Sequence, residues 1–163
     1  MTARGVLYVH SAPAALCPHV EWAVADVLGM SPRLEWAAQP AGGSTLRAEC
    51  CWQAPPGTAA RIARAMNGWR LLRFEVTEEP SAGCDGERYA YTPALGLFRT
   101  PMSANGDVLV GEGRLRALLA AADDSAELAA ELERLLGTPW DQELEVYRHA
   151  GEGAPVRWLH QVG

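Results

Sequence analysis

The chain has 163 residues, 48% of them hydrophobic and 21% charged, with a formal net charge of −6; that suits one domain with a real core and gives no apolar run long enough to span a bilayer. All 14 basic residues are arginine, which excludes a Walker A loop, a Schiff-base lysine and a kinase-type lysine. Seven arginines balance seven acids in residues 1–80, whereas residues 81–163 set seven arginines against thirteen acids, so there is no basic stripe for nucleic acid and the acidic half reads as a solvated helical surface.

The N-terminus has one arginine and a short alternating apolar run, and reads as a first strand rather than a signal peptide. Cytoplasmic localisation is therefore expected. In Arg4–His10, Val6 and Tyr8 share one parity and Leu7 and Val9 the other. A strand apolar on both faces is central and covered on both sides. Pro18–Gly29 predicts a helix whose apolar face is Val20, Ala23, Val24, Val27 and Leu28. Pro18 suits the first helical position, which puts Cys17 at the N-cap, and Gly29 suits the stop.

Arg33–Gln39 and Thr45–Gln53 predict two strands around PAGGS, the second with Leu46, Ala48, Cys50 and Trp52 on one face and Arg47, Glu49 and Cys51 on the other. Thr58–Asn67 predicts a short helix with Ala59, Ile62, Ala63 and Met66 inward. Trp69–Glu78 then predicts a strand with Leu72, Phe74 and Val76 alternating. The order β-α-β-β-α-β is that of a ferredoxin-like split βαβ unit. Two helices on one face of such a sheet leave the other face of the first strand bare, and the C-terminal half is the candidate to cover it.

That half starts with the loop EPSAGCDGE and a β-meander of RYAYT, LGLFRT and VLV. Arg114–Ala122 predicts a helix with Leu115, Leu118 and Leu119 on one face. Asp124 to Glu127 reads as a capping-box variant opening the next helix, and Thr138 to Asp141 as another opening in the same way. VRWLHQV predicts a last strand. The fold class expected is α+β: a ferredoxin-like βαββαβ half over residues 1–79, packed against a β-meander, helices and a final strand over residues 80–163, as one domain.

Chemistry concentrates around VLYVHSAPAALCPHVEWAV. A thiol at a helix N-terminus is drawn toward thiolate by unpaired amides, so Cys17 with His19, or with His10 if the loop folds back, is the candidate catalytic pair of a thiol-dependent enzyme. No orienting acid or oxyanion hole accompanies it. Residues 17 and 19 do not face one another on a helix, so no metal site is expected, and the cysteines (17, 50, 51 and 84) form neither a CxxC pair nor a disulfide framework. The carboxylate groups Glu78/Glu79, Asp123/Asp124 and Asp141/Glu143/Glu145 have simpler accounts as strand ends, caps and solvated faces. GEGRLR and GEGAP lack a third glycine and the strand-to-helix setting of a dinucleotide site. No cofactor is expected. Six tryptophans are either core or a docking surface, where tryptophan is enriched.

RGVLYVHSAPAALCPHVEWAV, GWRLLRFEVTEEPS, GERYAYTPALGLF, GDVLVGEGRLR and PWDQELEVYRHAGEGAPVRWLHQV together resemble an uncharacterised actinobacterial family, a domain of unknown function, over nearly the whole chain. The resemblance implies a stand-alone cytoplasmic protein and brings no catalytic or binding residues with it. It also implies a neighbourhood of type II fatty acid synthesis genes. The expectation is a non-enzymatic binding or regulatory domain that takes a protein or a small anionic ligand near His10, Ser11, Cys17 and His19, where a strand end meets a helix N-terminus. The alternatives are the thiol-dependent enzyme using Cys17, and a structural adaptor in a multiprotein fatty-acid-metabolism assembly. Homo-oligomerisation stays open.

Overall fold

The computed structural model describes residues 1–149. The expected last strand, with Trp158 and His160, lies outside the described residues. Six strands and five α-helices follow in chain order: β1 (Ala3–Pro13), α1 (Cys17–Leu28), β2 (Ala37–Ala38), β3 (Thr45–Ala54), α2 (Thr58–Met66), β4 (Arg73–Glu78), β5 (Gly86–Thr92), β6 (Gly96–Met102), α3 (Glu112–Ala121), α4 (Ser125–Leu136) and α5 (Thr138–Arg148). The strands form one open antiparallel sheet in the order β2-β3-β1-β4-β5-β6.

Period-two alternation divides the sheet into two differently furnished faces. The register places Leu7 opposite Cys50 and Val76, and Val9 opposite Ala48 and Phe74. This first face packs on Val20 and Val24 of α1 and on Ala59, Ile62, Ala63 and Met66 of α2, forming the main core. The apolar faces expected for both helices are therefore the buried ones. Gly5 is dictated by closeness: a Cβ there would lie 2.0 Å from the Thr77 carbonyl oxygen and 2.2 Å from the Trp52 ring. Glu78 closes this side by accepting from the backbone N–H of Gly57 at 2.8 Å and of Ala59 at 3.0 Å. The carboxylate thus satisfies orphan donors at the positive end of α2.

The second face is covered by α5 over β5 and β6, where Trp140 and Leu144 pack on Ala90 and Phe98. Burying those two side chains contributes on the order of 3–6 kcal/mol of apolar transfer. Of β1, α5 covers the end at His10, reached through Glu75 and Gln39, whereas Val6 and Tyr8 border hollows.

Several expected elements differ. Of Arg33–Gln39 only Ala37–Ala38 joins the ladder; Leu34 and Trp36 instead pack against the main core from a segment without strand pairing. Residues 69–72 form a turn, with Leu72 N–H donating to the Trp69 carbonyl at 3.0 Å, so β4 starts at Arg73. The third strand of the meander is reduced to a single bridge, Met102 to Val108, beside a bond from Leu109 N–H to the Pro101 carbonyl. Pro101 in β6 has no N–H to extend a ladder to that edge.

Cys17 is not a cap. A 3-10 turn over Ala14–Leu16 leads straight into α1, so Leu16 occupies the cap position with helical angles and Cys17 is already helical. Asp124 does cap α4, accepting from Glu127 N–H at 2.8 Å, while Glu127 accepts from Asp123 N–H at 2.7 Å. Thr138 does not cap α5: left-handed Gly137 holds that position, and the Thr138 hydroxyl donates to Glu133. The leucine stripe of α3 is unburied, since neither α3 nor α4 carries a buried residue.

Candidate functional site

At His10 the pairing of β1 slips. The register to β3 passes from Val9–Ala48 to Ala12–Leu46, and that to β4 from Val9–Phe74 to Ser11–Arg73. One extra residue in β1 makes this a β-bulge, a device that re-aims a side chain. The His10 carbonyl is taken up by buried Gln39, whose Nε2 donates to it at 2.8 Å and to the Tyr147 carbonyl of α5 at 3.1 Å. Gln39 Oε1 accepts from Ala41 N–H at 3.1 Å. One amide side chain thus joins the bulge, the loop before β3 and the end of α5.

The His10 ring lies on the second face. Its Nε2 is 2.7 Å from Glu75 Oε2, and both side chains are almost fully buried. An ionised carboxylate only accepts, so Nε2 carries the proton and Nδ1 is the remaining polar position of the ring. Glu75 also accepts from Arg88 Nη2 at 2.9 Å and from Arg148, through Nε at 2.9 Å and Nη2 at 2.5 Å. Asp141 accepts from the same two arginines at 2.5 and 2.8 Å. Two carboxylates and two guanidinium groups balance to zero net charge.

Burial pushes the Glu75 carboxyl up, but the His10 hydrogen bond and the Arg88 and Arg148 charges outweigh it and hold the carboxyl well below its usual range. Burial likewise lowers Arg148, and Glu75 and Asp141 more than restore it, leaving its pKa raised. On the outer side of this cluster, the Thr92 hydroxyl donates to Glu143 at 2.8 Å, and the Arg73 guanidinium sits 4.8 Å from the Tyr147 ring centroid. The charged cluster fixes α5 over the sheet and holds the imidazole in one orientation.

Beyond α5, no described helix lies over the second face. There His10 lines a recess of about 250 Å³ together with Tyr8, Val9, Ala37, Ala48 and four charged residues: Arg33, Glu35, Arg47 and Glu49. Tyr8 lies nearly parallel to His10, with ring centroids 6.1 Å apart, and also lines a second hollow of about 370 Å³ with Gly5, Val6, Thr77 and the turn after β6.

The four residues singled out from the sequence do not converge. His10 is on the second face. Ser11, next to it, is buried and donates to the Thr45 hydroxyl at 3.0 Å. Cys17 belongs to the first-face core and donates weakly to the Pro13 carbonyl. Burial and the nearby Glu21 charge push its thiol pKa up, against a small opposing effect of its own backbone N–H. That is the reverse of the thiolate expected from a helix N-terminus. His19 is exposed and meets Trp22 edge to face at 5.1 Å. The sheet therefore separates Cys17 from His10. Glu75, Arg88 and Arg148 do not stand out in the sequence: Glu75 alternates with Phe74 and Val76 as a polar-face residue of a strand does, and the one local signal is Arg148, four residues beyond Leu144 on the inner face of α5. Among the described residues no group of three or more His, Cys, Asp or Glu is placed to hold a metal ion, and no helix is long and apolar enough to cross a membrane.

A family model described as "Protein of unknown function (DUF3145)" matches residues 6–161. The chain belongs to the DUF3145 family. The match spans β1 with the His10 bulge, the strands bearing Glu75 and Arg88, and α5 with Asp141 and Arg148, so the whole buried cluster lies inside the DUF3145 region. No curated protein and no solved structure matches the chain.

Proposed function

We propose that this DUF3145 protein is a non-enzymatic binding domain whose small ligand, with an anionic group, sits in the recess over His10. One observation carries the reading: a buried imidazole, oriented by a buried carboxylate at a β-bulge, forms part of the wall of a polar hollow bearing two arginines. Polar groups held by their neighbours at a concave site are what fixes a small ligand's orientation. The scaffold goes with this reading as a ferredoxin-like unit formed by β1 to β4 with α1 and α2, extended by β5 and β6, in one cytoplasmic actinobacterial domain. Of the expected ligand residues, His10 is retained, Ser11 supports the bulge, and Cys17 and His19 are set aside. Native mass spectrometry of the purified protein, beside an Arg33→Ala/Arg47→Ala variant, tests it. A small molecule retained by the wild type and lost from the variant is expected. A ligand-free wild type, or equal retention by both, contradicts the reading.

The adaptor alternative is supported by a different surface. Trp22 is 65% exposed and Leu71 62% exposed, and an apolar hollow of about 440 Å³ lies among Leu16, His19, Trp69, Arg70 and Leu71. Exposed aromatic and aliphatic side chains around a hollow are typical of docking sites. In a native-lysate pull-down this alternative requires a partner captured by the wild type and lost on Trp22→Ser with Leu71→Ser. The fatty-acid-metabolism assembly is the setting that the sequence resemblance supplies for it.

A further inference from the structure

We infer that the ligand of the recess over His10 is a small zwitterion, an amino-carboxylate the size of a free amino acid; this rests on the binding reading above. Four charged side chains ring the recess. Arg47 and Glu49 are two residues apart on β3 and so project to the same face, the one that carries His10 and Tyr8. Arg33 and Glu35 face them from the segment before β2. Each wall thus carries one positive and one negative side chain. Arg33, Glu35 and Glu49 are exposed at the mouth of the hollow and Arg47 is half-buried, so their charges stay available to a solute, unlike those of Glu75, Asp141, Arg88 and Arg148, which pair with each other a few residues away. None of the four rim residues forms an ion pair within 4.0 Å among the described residues.

The wall formed by His10 adds to this. The Glu75 carboxylate already accepts from His10, Arg88 and Arg148. Charge selection is left to the rim. A simple anion meets Glu35 and Glu49 as soon as it meets Arg33 and Arg47, and a simple cation meets the reverse. A molecule carrying both signs satisfies both pairs at once, and like-charge contacts reject the others. Size narrows the class further. At about 250 Å³, the recess lies below the usual range for drug-sized ligands of about 300–1,000 Å³.

Isothermal titration calorimetry at low salt tests this on the full chain with glycine, L-serine and L-glutamate, against acetate and ethylammonium as single-charge probes. Saturable binding of at least one amino acid is expected, with acetate and ethylammonium weaker by about ten-fold or more. Arg47→Ala and Glu49→Ala should each weaken the amino acid by a similar factor. Both lie on the rim outside the buried cluster, and circular dichroism checks their folding. Acetate binding as tightly as the amino acids, and depending on Arg47 but not Glu49, overturns the zwitterion while leaving the anion reading standing. No binding by any probe, or binding indifferent to both substitutions, overturns both.

Discussion

Removing the Glu75 carboxylate is the most informative perturbation of the buried cluster. In Glu75→Ala, Arg88 and Arg148 remain beneath α5, where their side chains are 3% and 4% exposed. Among the described residues, Asp141, 24% exposed, would be the carboxylate left to both of them at hydrogen-bonding distance, with Glu145 at the margin of Arg148. His10 also loses the partner that orients its ring. Deleting one member of a buried ion pair costs about 3–5 kcal/mol because it strands the opposite charge. The surviving Asp141 contacts place this case at the lower end, about 3 kcal/mol. That is a large part of a typical domain stability of about 5–15 kcal/mol, and at about 2–4 °C per kcal/mol it lowers Tm by roughly 6–12 °C. Urea unfolding followed by tryptophan fluorescence measures it, with Glu75→Gln as the isosteric control. A loss below about 1 kcal/mol, the range of exposed pairs, would show that Glu75 does not hold two buried guanidinium groups.

The same residue sets an acid limb. Because the folded pKa of Glu75 is depressed, its stabilisation is complete above its unfolded value and is withdrawn as the pH falls through the folded one. Glu75→Gln should therefore flatten the decline in stability below about pH 4.5; an acid limb identical to the wild type's would remove Glu75 from it. Thiol titration with an aromatic disulfide at neutral pH should modify exposed Cys51 and Cys84 promptly and buried Cys17 and Cys50 slowly. A Cys17 that reacts faster than a free thiol would restore the thiol-enzyme reading. Gly137→Ala combines a left-handed backbone, φ +83°, with a new Cβ 2.6 Å from the Phe98 ring. It should cost at least about 1–2 kcal/mol in the same unfolding assay, and an unchanged midpoint would mean that α5 does not seat as described.

How far the residues themselves announced this architecture varies by layer. The first-face core follows from periodicity alone: Leu7, Val9, Phe74, Val76 and the inner faces of α1 and α2 all fall where alternation and the 3.6-residue repeat put them. Strand ends were less legible, because ladders depend on partners. Residues 33–36 alternate as a strand does yet find no ladder, and Pro101 denies one to residues 108–110. The site was half legible. Val6 and Tyr8 imply a second apolar face on β1, but Arg47 and Glu49 share that face without pairing among the described residues, so alternation alone does not single out Glu75 and Arg88 as the buried charges. Choosing Arg148 and Asp141 as their partners requires knowing that α5 crosses the sheet at that level, which no local pattern encodes. Cys17 misled because a helix N-terminus favours thiolate only where the sulfur stays solvated, and the 3-10 turn before α1 carries it into the core.

If the recess over His10 is the binding site, the His10 ring itself reports on it. Long-range 1H–15N spectra of the imidazole nitrogens, recorded during titration with the amino acid that binds most tightly in calorimetry, should show His10 signals shifting saturably while exposed His19 and His149 stay still. Shifts confined to other histidines, or none at a saturating concentration of that amino acid, would contradict the claim.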